Sequence, residues 1–160
     1  EIKSINELIE AKKPLENLHL EKVLPADFQL NKFFYKEIGK KHRWVDRLVW
    51  SDKNWTDYLN TLGVVTYVLK KKEDLIGYFE QNIYSQNKEC AIAYFGILEE
   101  YIGKKIGSYL LSEAIKKSFK TGVKRVWVHT CSLDHKNALK NYQSRGMKIF
   151  KSETINLNIN

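Results

Sequence analysis

The sequence predicts a mixed α/β domain of the α+β kind, with a central, mostly antiparallel mixed sheet flanked by helices on both faces. Three observations predict it. First, three β-branched and aromatic runs, 64–70, 75–84 and 89–97, are separated by the polar turns Lys71-Lys72-Glu73-Asp74 and Ser85-Gln86-Asn87-Lys88, the pattern of an antiparallel meander. Second, a strand, a crossover helix and a strand follow over 89–130, which an all-parallel doubly wound sheet with a preceding meander cannot contain. Third, the 160 residues include two prolines and no low-complexity or repeated stretch, so the elements pack on one core as a single domain, 1–160.

The elements follow in order. Residues 16–23 alternate as a first strand, with Leu18, Leu20 and Val23 apolar, before the Pro25-Ala26-Asp27 turn opens a helix that Gly39 stops. The segment Arg43–Tyr58 carries Trp44, Trp50 and Trp55, and Ser51 reads as the N-cap of a second helix running toward Leu59. After the meander, Ile106, Leu110, Leu111, Ala114, Ile115 and Phe119 recur at helical spacing over 103–120, closed by Gly122. Residues 123–130 read as a strand, and 134–145 as another helix with Ala138, Leu139 and Tyr142 on one face. Residues 147–159 alternate like one or two final strands. The expected order is β-α-α-β-β-β-α-β-α-β.

Composition excludes several classes of function. Cys90 and Cys131 form no C-x-x-C pair, which argues against a disulfide scaffold or zinc ribbon and for a reducing, cytoplasmic setting. The longest apolar stretch, Ala91–Leu98, is far below the roughly 18–20 residues that span a bilayer, so no membrane association is expected. Lys plus Arg number 27 against 19 Asp plus Glu, a net charge of +8 that favours anionic partners. No run of five like charges occurs, so the lysines read as a solvated surface rather than a nucleic-acid footprint.

The anion has a natural seat. From Tyr94 to Leu111 a strand enters a glycine-bearing turn that opens a long helix. The first helical amides lack intrahelical partners at the positive end of the dipole, and Lys104 and Lys105 add charge, so Gly103, Lys104, Lys105, Ile106, Gly107 and Ser108 can cradle a phosphate. An ordinary helix start is the alternative. The stretch has neither the Gly-Lys-Ser/Thr ending of a nucleotide-triphosphatase loop nor G-x-G-x-x-G spacing.

Two segments resemble the GCN5-related N-acetyltransferases (GNAT), the superfamily that moves an acetyl group from acetyl-coenzyme A to an amine. The junction resembles the family's Arg/Gln-x-x-Gly-x-Gly/Ala coenzyme loop, and Val126–Met147 resembles its strand, Asn-Ala-x-x-x-Tyr helix and Gly-Phe finish. The likeness covers about 16–155 and implies a GNAT-like three-layer fold; the first dozen residues add nothing to it. Aligned on Gly107, the family's Arg/Gln falls on Ile102 and its first glycine on Lys105, and Met147 stands for the usual Phe.

The resemblance implies acetyl-CoA as co-substrate, no metal, and direct transfer in a ternary complex to an amine acceptor on a small molecule or peptide. It implies that amides of Phe95, Gly96, Ile97 and Leu98 hold the pantetheine arm and polarise the acetyl carbonyl, with Gly96 suited to a bulge. It also implies that Asn137 contacts the coenzyme and that Tyr142 is the general acid toward its sulfur. Without the motif, Tyr142 reads as a core tyrosine and Asn137 as a cap. An amine of pKa ~10.4 needs a base, and Glu80 on a central strand and His129 at a strand end are the two candidates. Trp44, Asp46 and Trp50, with Asp52, are expected to wall the acceptor site, with core packing the alternative reading of the tryptophans. A homodimer is common in the family, and the edge strand expected after Met147 is a local hint of one. A catalytically silent coenzyme-A binding module is the rival function, motivated by Ile102 and Lys105.

Overall fold

The computed structural model describes residues 1–156. Strands β1 (Leu18–Lys22), β2 (Val64–Lys71), β3 (Asp74–Tyr84), β4 (Glu89–Ile97) and β5 (Arg125–Val128) form one sheet in that spatial order. The first three junctions are antiparallel, while β4 and β5 run parallel across the connection that contains α3 (Ile106–Phe119). Helices α1 (Phe28–Gly39) and α2 (Asp52–Leu59) lie between β1 and β2, and α4 (Ala138–Ser144) follows β5.

The period-2 alternation of the strands sorts the core into two layers. Leu69, Phe79, Ile92 and Val126 face Leu110, Leu111, Ala114 and Ile115 of α3 and Tyr142 of α4. One residue earlier, Val68 and Tyr78 face Phe34 and Ile38 of α1 on the opposite side, completing three layers. Each large apolar side chain so buried contributes about 1.5–3 kcal/mol. Local chemistry sets the helix starts: Asp27 accepts from the amides of Gln29 and Leu30, and Ser51 and Asn54 form a reciprocal capping box.

Three sequence expectations are corrected. The helix expected from Asp134 begins at Ala138, because the Asp134 carboxylate instead closes a turn by accepting from the Cys131 amide (3.1 Å) and the Thr130 hydroxyl (2.6 Å). The bulge expected at Gly96 falls at Ala93, where the β3–β4 register slips between Glu80 and Gln81. Gly96 serves close packing instead, since an added Cβ would lie 2.7 Å from Ile38. The final strands expected over 147–159 do not form through residue 156, and 157–159 lie outside the described residues.

That last difference has a structural reason. The first residues, which carried no signal for the fold, occupy the place beside β5. Ile2 pairs with Val126 in an antiparallel bridge and is buried, and the Ile9 amide donates to the Arg145 carbonyl. Among the described residues, no helix is long and apolar enough to cross a membrane.

Candidate active site

The site begins where β4 outruns β5. Their pairing stops at Ile92 and Val128, while β4 continues to Ile97, so its far end borders an open gap. The Leu98 amide donates to the Ile76 carbonyl on the β3 side (2.8 Å). Alternation therefore turns Gly96 toward β3, and turns the amides of Phe95 and Ile97 toward the gap.

At the end of β4 the chain forms the expected helix start. Gly103 (φ +86°) and Lys105 (φ +62°) both adopt the left-handed conformation, so Lys105 takes up the backbone shape that glycine reaches without strain. Among the described residues, no acceptor meets the amides of Gly103 through Ser108. Ile106 is buried beneath the loop, whereas Lys104 and Lys105 are exposed, with the Lys104 ammonium 5.6 Å from the Tyr101 ring. These free amides and two cations suit the phosphates of a coenzyme A. The Asn141 amide of α4 donates to the Gly107 carbonyl (3.3 Å), tying the two helices beside the gap.

Tyr142 sits on α4 with its ring centroid 6.5 Å from that of Phe95, so it borders the same part of β4. Only 8% of the residue is exposed, and burial, reinforced by the charge of Asp134, raises its phenol well above the ordinary tyrosine range. Asn137 caps the start of α4 with an exposed side chain that bonds no backbone amide. His129 lies one residue beyond β5, exposed.

Glu80 is placed differently. It is fully buried, and its two oxygens hold Arg47 at 3.0 and 3.1 Å, the Asn31 amide at 2.9 Å and the Tyr58 hydroxyl at 3.1 Å. The guanidinium of Arg47 lies 4.2 Å from the ring centroids of both Tyr58 and Tyr94, and 4.7 Å from that of Trp50. Asp46 beside it accepts from the hydroxyls of Tyr35 and Tyr94, each at 2.8 Å. Trp44 packs edge-on to Tyr94 with centroids 4.9 Å apart, and Asp52, at the start of α2, pairs instead with Lys32 at 3.6 Å.

The structure thus joins Asp46, Trp50 and Glu80 around Arg47, which sequence reasoning passed over. An arginine amid the tryptophans and tyrosines of 44–58 was the available signal. Also missed were His42 and His135. They face one another at 6.3 Å and line a cavity of about 380 Å³ with Ile38, Ile97, Glu99 and Ile102, at the open end of the gap. A larger cavity, about 460 Å³, lies between residues 10–13 and the outer side of α3, away from these groups. Among the described residues, no three His, Cys, Asp or Glu side chains cluster as a metal site.

Comparison with known proteins adds a family. The model of the acetyltransferase (GNAT) family matches residues 28–147. No curated protein matches the chain. Among solved structures, an aminoglycoside acetyltransferase from an uncultured soil metagenomic sample, in complex with sisomicin, superposes with a TM-score of 0.71 at 13% identity, over 90% of this chain and 96% of that one. AAC(6')-Iy, bound to a bisubstrate analogue of coenzyme A and acetylneamine, gives 0.66 at 10% identity, over 89% and 98%. An IAA acetyltransferase from Bacillus cereus gives 0.63 at 21%, over 84% and 79%. At such identities these three show a shared fold.

Proposed function

We propose, from the premise that this chain belongs to the acetyltransferase (GNAT) family, that it moves an acetyl group from acetyl-CoA to a primary amine by direct transfer in a ternary complex. The observation that carries the reading is the meeting of three features at one gap. They are the amides of Phe95 and Ile97, the unbonded amides of Gly103–Ser108, and Tyr142. The phosphates bind at the start of α3, near Lys104 and Lys105, and the pantetheine arm lies along β4 between it and α4. Asn137 and Ser108 border that path.

In the reaction the amine nitrogen attacks the thioester carbonyl carbon. The amides of Phe95 and Ile97 stabilise the negative charge that develops on the oxygen. As the carbon–sulfur bond breaks, Tyr142 gives its proton to the leaving sulfur in the same step; burial keeps the phenol protonated beforehand, and the charge developing on the sulfur draws the proton across. His129, exposed one residue beyond β5, takes the amine's proton directly or through water. Glu80, whose oxygens already hold four donor contacts, acts through its hydrogen-bonded neighbours, and Asp46, Trp44 and Trp50 wall the acceptor. The free thiols of Cys90 and Cys131 suit a reducing cytoplasm.

The test is Tyr142→Phe, assayed for thiol release from acetyl-CoA against a panel of primary amines. It is expected to lower kcat about a hundredfold or more while leaving acetyl-CoA affinity unchanged. A second reading, a coenzyme-A binding module without catalysis, is favoured by the sealed position of Glu80. Turnover absent in the wild type, or unaltered in Tyr142→Phe, sinks the mechanism above.

A further inference from the structure

Arg47 comes from the segment between α1 and α2, which forms neither helix nor strand over 41–50 and shows Val45, Leu48 and Val49 to solvent. Its guanidinium, in contrast, ends in a centre built for a cation. Besides Tyr58, Tyr94 and Trp50, the rings of Trp55 (5.4 Å) and Tyr35 (6.0 Å) surround it, and Glu80 supplies a buried counterion. Polar demand at this centre is not met by the chain. The Asn31 carbonyl oxygen lacks a partner although its amide nitrogen donates to Glu80, and the buried Tyr78 hydroxyl lacks one too. An arginine side chain donates only from its fixed fork. An ammonium carries three donors that can turn toward the Asn31 and Tyr78 oxygens.

The physics also says what can replace Arg47. Left alone, buried Glu80 would be an uncompensated charge, which the fold does not tolerate. A neutral molecule therefore cannot take the place, whereas a second organic cation exchanges with little change in charge. We propose that this centre recognises the positive group of the acceptor, and that Arg47 is its tethered resident, displaced by an incoming alkylammonium or alkylguanidinium. The term acceptor rests on the acetyltransferase reading; the cation site does not. A group tethered by a short segment competes at an effective concentration in the millimolar range, so Arg47 sets a threshold that selects against weakly held amines.

The probe is methylguanidinium chloride at millimolar concentration, with its neutral isostere N-methylurea as control. Two signals report on the centre: the fluorescence of Trp50 and Trp55, and hydrogen exchange of the Arg47 amide, which donates to the Tyr35 hydroxyl at 3.0 Å. In the wild type the cation, and not the urea, is expected to change the fluorescence saturably and speed exchange at Arg47. In Arg47→Ala the same cation is expected to bind about tenfold or more tightly, since the tethered competitor is gone, and Glu80→Gln added to it abolishes binding. An arginine that only holds the fold predicts the opposite. The wild type then ignores the cation, even where the cation restores stability to Arg47→Ala, and that outcome overturns the proposal. If Arg47→Ala does not fold, the wild-type arm decides alone. Acetyl-CoA binding, titrated in parallel, separates the two readings: a chain that exchanges cations but binds no acetyl-CoA keeps this site and loses the transferase.

Discussion

Glu80 shows how one residue's surroundings change its chemistry. On a strand sequence it reads as a base, because a carboxylate on a central strand is not expected simply to meet solvent. In the fold both oxygens are spent on Arg47, Asn31 and Tyr58. Glu80→Gln leaves Arg47 buried without its counterion, so urea unfolding is expected to show a loss of about 3–5 kcal/mol. Its neighbour Asp46 governs acid stability. Partial burial raises its pKa, but the donated hydroxyls of Tyr35 and Tyr94 outweigh that and leave it below the usual aspartate value. A depressed carboxylate pKa contributes stability that is present above the unfolded pKa and lost as pH falls through the folded one. Stability is therefore expected to drop below about pH 4, and Asp46→Asn to flatten that drop in an acid titration. Arg47 itself had only a compositional signal, an arginine among aromatic residues, because periodicity marks faces, not which distant strand a loop side chain will meet.

Elements were more legible than residues where their signal was local. The meander followed from alternation, and the start of α2 from Ser51. The β4 bulge was not, because a register slip depends on how two strands meet; glycine at 96 marked close packing against α1 instead. The loop after β4 joins both lessons. Lys105 departs from the family glycine, and the structure answers the departure by holding Lys105 at φ +62°. Lys105→Gly should relieve that strain and stabilise the chain by about 1 kcal/mol in chemical denaturation. It should also weaken acetyl-CoA binding, because a positive charge beside the phosphates is lost.

At the scale of the whole molecule, three layers and a parallel β4–β5 pair produce the gap on which the proposed function rests. What the sequence left unread is the closure of the sheet's far edge. Residues 147–156 alternate like a strand, but alternation needs a free partner edge, and Ile2 already pairs with Val126 there. Ile149, Phe150 and Ile155 accordingly stay exposed. Ile2 is part of the main core, so Ile2→Ala should cost about 2–5 kcal/mol, measured by thermal or urea unfolding. The proposed function requires that the gap and the loop after β4 hold acetyl-CoA. Calorimetric titration of the purified chain tests it most directly. Saturable binding at one site per chain, weakened by Lys105→Gly, is expected; absence of binding to the folded protein would contradict the proposed function.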